Sequence, residues 1–204
     1  MTTGEERPGR ANQKARTRTA IVDATRGLIQ GGAEITMPAV ARAALVSEAT
    51  AYRYFPDLMS LLREAMAGIW PGPEEVLAGV ADSADPVERV AAAAEVLLRR
   101  VLTAQGAVRA MISASITRPE LAGARPGYRF GLIDYALAPL AGTLGAADPE
   151  RFALLKTQLA IVISAEALFT LTDMCGLAPE AAIATAVAAA RTITSAACAD
   201  RVGA

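Results

Sequence analysis

Residues 36–62 hold a group of side chains suited to contacting nucleic-acid phosphates. Hydroxyl groups come from Ser47, Thr50, Tyr52 and Tyr54, and a guanidinium comes from Arg53. Proteins hold phosphate oxygens with hydroxyls, guanidinium groups and the free amides of helix N-termini, and Arg can also read guanine. These residue types at this spacing therefore favour a DNA-binding surface over a catalytic centre.

Two short helices must position these side chains. Thr36 can cap a helix with its hydroxyl, and Pro38 is tolerated in a first turn, so a helix is predicted over 37–43. Ser47 is a second cap and predicts a helix that runs to Tyr54. The turn between them is 44–46. Two short helices joined in this way form a helix-turn-helix, whose second helix enters the DNA major groove.

Flanking helices complete a small domain. A first helix over 15–30 is predicted from one apolar face, formed by Ile21, Ala24, Thr25 and Leu28. A fourth begins at Pro56-Asp57, and its apolar periodicity runs through Leu58, Leu61, Leu62, Ala65 and Met66. The break at 70–73 follows. The helix-turn-helix domain is therefore assigned to 15–65 and a second domain to 66–204.

Helical patterns continue through the second domain. The predicted helices cover 86–104, 107–117, 130–140, 148–174 and 179–200, and a kink is expected in the third at Pro139. The fourth of these has two apolar stripes, which require cover on two sides. The last has a stripe of small and β-branched residues: Ile183, Val187, Ala190, Ile193 and Ala197. The two final helices are therefore expected to pair with their copies as a four-helix bundle.

Composition agrees with an all-α fold. The 204 residues are 53% apolar but only 4% aromatic, and alanine is a strong helix former. The absence of histidine excludes histidine metal sites and histidine-based catalytic triads. Cys175 and Cys198 lie in no metal-binding spacing and are expected to be buried and inert. No catalytic residue, metal or cofactor is predicted.

Charge is distributed unevenly. Residues 1–65 hold nine basic and seven acidic residues, a net of +2, although the whole chain has a net charge of −1. Five basic residues and no acid lie between Arg7 and Val22. Residues 1–14 are interpreted as a flexible basic arm. It either contributes phosphate attraction or is a solvated terminus.

The segment "ITMPAVARAALVSEATAYRYFPDLMSLLREAM" resembles the DNA-binding segment of the TetR family of transcriptional regulators. The residues that carry the resemblance are Thr36, Val40-Ala41, Ala44, Val46-Ser47, Thr50, Tyr52, Tyr54-Phe55 and Leu61-Leu62. The resemblance implies a homodimer with N-terminal domains that bind an operator in double-stranded DNA. It implies larger C-terminal domains that bind a small-molecule effector of unknown identity and form the dimer.

The resemblance also assigns contact residues. Phosphate contacts fall on Thr36, Ser47, Thr50, Tyr52 and Tyr54, and base contacts fall on Met37, Glu48 and Ala49, with Arg18 and Arg53 as further DNA-binding candidates. Two positions depart from the family pattern. Leu45 replaces a glycine in the turn, where it is either strained at positive φ or packs inward. Leu58 replaces a lysine that meets a phosphate.

The effector site is predicted from composition. Candidate contacts are Met66, Trp70, Arg109, Met111, Ser113, Thr117, Tyr128, Tyr135, Glu166, Phe169 and Asp173. Glu166 interrupts an apolar helix and needs a partner if it is buried. The alternatives for it are a cationic ligand, an arginine of the same subunit, the dimer partner or a wet edge.

The function favoured by these observations is a cytoplasmic, ligand-responsive DNA-binding regulator. The expectation is a repressor that a small apolar effector releases from a palindromic operator, with no membrane association. A second hypothesis is a dimeric helical ligand-binding protein whose DNA binding is weak or lost. A third is an all-helical enzyme, which no paired carboxylates or nucleophile constellation supports.

Overall fold

The computed structural model describes residues 8–125 and 127–199, and all regular structure in those ranges is helical. The predicted all-α fold is confirmed. The helices are α1 Pro8–Gln30, α2 Met37–Ala43, α3 Glu48–Tyr54, α4 Leu58–Met66, α5 Pro73–Val76, α6 Pro86–Thr103, α7 Gln105–Thr117, α8 Tyr128–Ala136, α9 Ala138–Ala141, α10 Leu144–Ala147, α11 Pro149–Val162, α12 Ala165–Phe169 and α13 Pro179–Ala199. Short 3-10 turns cover Ala78–Val80 and Pro119–Ala124, and a π-helical turn covers Thr170–Met174.

The described chain divides into two compact units. The first unit holds residues 8–70 and 103–125, and the second holds 71–102 and 127–199. The units differ from a division at residue 66 in two respects. The first stretch of unit 1 runs to residue 70, and α7 belongs to that unit because it packs against α1 and α4. Gly106 makes that packing possible: a Cβ there would collide with the carbonyl oxygen of Ala33 in the loop after α1.

The first unit places α2 and α3 on a base formed by α1 and α4. α1 contacts both α2 and α4, and α2 contacts α3. The apolar core of this unit is buried from solvent. It includes Ile21, Val40, Ala51, Phe55, Leu61 and Leu62, all at most 1% exposed. This packing fixes the orientation of α3, which is too short to be stable alone.

The start of α1 differs from the prediction. α1 begins at Pro8 rather than Ala15, because proline is tolerated in a first turn and the residues that follow include good helix formers. Residues 8–14, assigned to the arm, are therefore helical, and the flexibility of residues 1–14 stays a prediction. The rest of that arm, residues 1–7 with Arg7, lies outside the described residues.

The second unit packs α11 against α8 and α13. Its buried residues include Leu98, Leu132, Ile133, Leu155, Leu159, Ile183 and Ala190. α13 is long and apolar enough to cross a membrane by length and composition, and little of that stretch is buried within the chain. The bent pairs α8–α10 and α11 with Ala165–Met174 pass the same test as combined segments.

Two predicted helices are broken in the structure. The helix predicted over 148–174 ends at Val162, because Ser164 turns extended and caps α12 by accepting a hydrogen bond from the Ala167 amide at 3.0 Å. The segments on either side are bent by 41°. The kink predicted near Pro139 is confirmed, with a 64° bend between α8 and the α9–α10 segment.

Candidate nucleic-acid interface

The N-terminus of α3 is capped as the sequence predicts. Ser47 has extended backbone, and its Oγ accepts a hydrogen bond from the Thr50 amide at 3.2 Å. The hydroxyls of Ser47 and Thr50 also lie 2.9 Å apart. The cap leaves further amides of the first turn without an intrahelical partner, and these favour an anion.

The outer face of α3 is polar and open. Glu48, Ala49, Tyr52 and Arg53 are exposed, and Tyr52 retains 49% of its accessible surface. Ala51, on the opposite face, is fully buried. The structure thus brings the predicted contact residues of α3 together on one surface.

At the N-terminus of α2, the predicted helix cap is confirmed and one predicted base contact is wrong. Thr36 Oγ1 accepts a hydrogen bond from the Ala39 amide at 3.2 Å, as predicted. Met37, predicted to read base edges, is only 4% exposed and packs into the first unit's core. That prediction is wrong for the described structure, because the side chain is apolar and points inward.

Arg18 bridges three elements of the first unit. Its guanidinium is paired with the Glu64 carboxylate of α4, its Nη1 donates to the Tyr54 carbonyl at 3.3 Å, and its Cζ lies 4.4 Å from the centre of the Phe55 ring. The predicted DNA contact at Arg18 must compete with these partners. Arg18 therefore holds the C-terminal end of α3 against α1 and α4.

The turn between α2 and α3 is strained at Leu45. Its φ is +56°. Among the described residues other than glycine, Leu45 alone has a positive φ. Its side chain is 92% exposed, so the alternative of inward packing is wrong. The turn keeps the geometry that glycine would adopt, at a conformational cost to the leucine.

Two exposed arginines in this unit were missed by sequence reasoning. Arg42 lies in the last turn of α2 and Arg63 in the last turn of α4. Within residues 8–125 and 127–199 neither has an ion-pair partner. The signal that could have found them is a basic residue opposite the apolar stripe of its helix. Leu58, at the start of α4, is half-buried.

The predicted effector contacts in the first unit have different environments. Met66 and Met111 are buried, Trp70 is half-buried, and Arg109, Ser113 and Thr117 are exposed. The buried methionines serve as core of this unit.

In the second unit, most candidate effector contacts already have protein partners. The Tyr128 hydroxyl donates to the Pro71 carbonyl at 2.9 Å. Asp173 is exposed and accepts from Thr172, 2.8 Å away. Tyr135, whose ring centre lies 5.0 Å from Arg89 Cζ, and Phe169 are half-buried. No predicted effector contact lines the two grooves that flank α13 in the described part of this unit.

Among the alternatives for Glu166, the structure shows an arginine of the same subunit. Arg129 Nη1 lies 3.4 Å from Glu166 Oε2, and both side chains are partly exposed. The Glu166 carboxylate is therefore partly solvated and ion-paired. The ion pair offsets part of the free-energy cost of removing the carboxylate from water.

An apolar groove of about 530 Å³ runs between α11 and α13. Its lining includes Leu154, Leu155, Ile161, Val162, Ile193 and Ala196. Leu154 is 56% and Ile161 68% exposed, so the described residues leave more than half of each apolar side chain uncovered. This surface is called the α11–α13 groove.

The predicted interface stripe of the last helix needs correction. Ile183 and Ala190 are at most 3% exposed and belong to the second unit's own core. The exposed side of α13 carries Arg191 and a set of small residues: Ala181, Ala184, Thr185, Ala188, Thr192, Ser195 and Ala196. A second groove, of about 330 Å³, flanks α13 on its α6 side, where Arg99 pairs with Glu95 and Glu180.

The expectation of two buried thiols is wrong for one of them. Cys175 is exposed at the turn before α13, because Gly176 ends the π-helical turn there in the left-handed region. Cys198 is half-buried near the end of α13.

A capped α3 with an open polar face, held on α1, α2 and α4, defines a helix-turn-helix DNA-binding fold. Residues 21–65 match the family model described as bacterial regulatory proteins, tetR family. No curated protein matches the chain. The helix-turn-helix domain of this chain therefore belongs to the TetR family, a family of DNA-binding transcription regulators.

Proposed function

We propose that this protein is a cytoplasmic, ligand-responsive repressor that binds a palindromic DNA operator as a homodimer. The observation that carries the proposal is the surface of α3, where Glu48, Ala49, Tyr52 and Arg53 are exposed together while Ala51 is buried. Such a helix fits the DNA major groove, which is about 12 Å wide and admits one α-helix.

Each exposed group of α3 has a DNA contact that suits its chemistry. The Tyr52 hydroxyl and the capped N-terminus suit phosphate oxygens. Arg53 suits a phosphate or guanine, Glu48 can accept from cytosine N4, and the Ala49 methyl suits the methyl group of thymine. Small side chains such as Ala49 also let the backbone approach the bases closely.

The α11–α13 groove supports the proposal of a homodimer. Exposed Leu154 and Ile161 are large apolar side chains on one surface, which is typical of an interaction site. The small residues on the open side of α13 permit close helix approach. Two copies packed here would form a four-helix bundle about a two-fold axis, and two α3 helices would then fall about 34 Å apart or at a multiple of that spacing.

An effector can control such a dimer only by binding more tightly to the state with one spacing of the α3 helices than to the state with another. We assign the effector-bound spacing to the state that fits DNA worse, so that a small apolar molecule releases the repressor. This direction of control rests on the resemblance to the family. A binding protein of this kind needs no catalytic group.

A mobility-shift assay with the DNA upstream of the protein's own gene tests the proposal. Wild-type protein should shift a fragment that contains an inverted repeat, and a fragment with one scrambled half-site should bind more weakly. The alternative is a dimeric ligand-binding protein that has lost DNA binding, which the strain at Leu45 favours. Absence of any shift at low salt would support that alternative.

A further inference from the structure

The first unit has a cleft of about 330 Å³ beside the C-terminal end of α3. Its lining includes Arg18, Tyr54, Phe55, Ser60, Arg63 and Glu64. We call it the Arg63 cleft. Two guanidinium groups and one carboxylate face it, so the cleft has a net positive charge.

The two arginines of the cleft differ in whether their guanidinium groups have partners within the described residues. Arg18 is held by Glu64, by the Tyr54 carbonyl and by the Phe55 ring. Arg63 is exposed and has no hydrogen-bond or ion-pair partner in the part of the chain that the structure describes. The charge available to a ligand is therefore that of Arg63.

The position of the cleft indicates which anion it meets. Tyr54, the last residue of α3, forms part of its wall. A helix with its side chains is about 10–12 Å across, and the major groove is about 12 Å wide. When α3 lies in the groove, the phosphate backbones on either side must pass close to the surfaces that flank α3.

We propose that the Arg63 cleft binds one backbone phosphate at the edge of the operator half-site, with the Arg63 guanidinium as the contacting cation. The inference rests on the proposed function and deepens it by adding a contact. Arg63 lies in the last turn of α4 and Leu58 in the first, so this contact falls at a different place from the one that a lysine at position 58 would make.

The test compares Arg63→Gln with wild type in equilibrium binding to the upstream duplex and to a random-sequence duplex of equal length, at several salt concentrations. Loss of one phosphate contact should reduce the slope of log K against log salt by about 0.9. Affinity should fall by about three- to tenfold on both duplexes, because a phosphate contact carries no base information. Arg63→Lys should keep most of the slope.

Arg118→Gln is the matched control. Arg118 is an exposed arginine of the same unit at the C-terminal end of α7, outside the cleft lining. It should leave the slope at its wild-type value. An unchanged slope in Arg63→Gln, or an equal loss in Arg118→Gln, would overturn the cleft while leaving the proposed function intact. A wild-type protein that binds neither duplex would overturn both.

Discussion

Arg89 Nε donates a hydrogen bond to the backbone carbonyl of Ala136, 3.1 Å away and 47 residues later in the chain. The same guanidinium donates to the carbonyls of Tyr135, Val80 and Ala81 at 2.7, 2.9 and 2.6 Å. Arg89 is only 4% exposed, and its Cζ lies 5.0 Å from the centre of the Tyr135 ring. A buried cation thus donates to backbone carbonyls at the end of α8 and at the end of the Ala78–Val80 turn.

Replacing Arg89 should therefore destabilise the second unit. In Arg89→Met these carbonyls lose the guanidinium donor inside the protein, and we expect the free energy of unfolding to fall by about 3 kcal/mol. Urea denaturation followed by circular dichroism measures the change. Arg99→Met is the control on the same helix, because Arg99 is exposed and its ion pairs with Glu95 and Glu180 lie at the surface. Equal losses of stability in the two variants would show that the hydrogen bonds of Arg89 to these carbonyls do not stabilise the unit.

Leu45 offers a test in which substitution stabilises the protein. Leu45→Gly removes a side chain that is 92% exposed and relieves a left-handed backbone, so the free energy of unfolding should rise by about 1 kcal/mol. Leu45→Val should lower it, since β-branched residues tolerate positive φ least. Urea midpoints that move in the same direction for both variants would argue against strain at this turn.

Tyr52→Phe should weaken DNA binding without changing stability. The substitution removes one exposed hydroxyl, and a hydrogen bond to a charged phosphate makes a difference of about tenfold in affinity. Fluorescence anisotropy with the upstream duplex measures the effect. Thr50→Ala should also weaken binding, but it removes the neighbour of the Ser47 hydroxyl and needs a parallel melting curve. Wild-type affinity in both variants would exclude α3 as the DNA-contacting helix.

The dimer surface can be tested at the α11–α13 groove. Ile161→Glu introduces a charge on an apolar side chain that is 68% exposed, and it should give folded monomers that bind the palindrome weakly. Ile116→Glu is the control, since Ile116 is 72% exposed on α7 in the other unit. Sedimentation should show monomers for the first variant and dimers for the second. Dimers in both would place the interface elsewhere.

Ile183→Glu is unsuitable for that test, although the apolar pattern of the last helix suggests it. Ile183 is 3% exposed, so a carboxylate there would enter the core of the second unit. We expect unfolding rather than folded monomers.

Ionisation of Tyr128 should lower the stability of the protein at alkaline pH. Burial raises the pKa of Tyr128 above its ordinary value of 10.0. The folded state therefore keeps this proton at a pH where the unfolded chain releases it, and its contribution to stability is lost as pH rises through the folded-state pKa. As pH rises from about 9 to about 11.5, the free energy of unfolding should fall less in Tyr128→Phe than in wild type. Identical slopes would contradict a raised pKa.

The sequence by itself determined the helix-turn-helix. The bounds of α2 and α3 follow from local chemistry, because Thr36 and Ser47 cap their helices through residues three positions away. The exposed face of α3 follows from helical periodicity in the same way. Such interactions lie within one turn of chain, so a linear pattern contains all the information they need.

Only the tertiary structure decided which side chains face the core, which cations have partners and where a long helix breaks. Met37 and Ile183 have the same apolar character as interface residues, and packing against other helices made them core. Arg18 meets Glu64 across 46 residues, and Arg89 meets Ala136 across 47. Arg63, unlike Arg18, has no such partner within the described residues. Partners so distant along the chain leave no local signal, because folding alone brings them together.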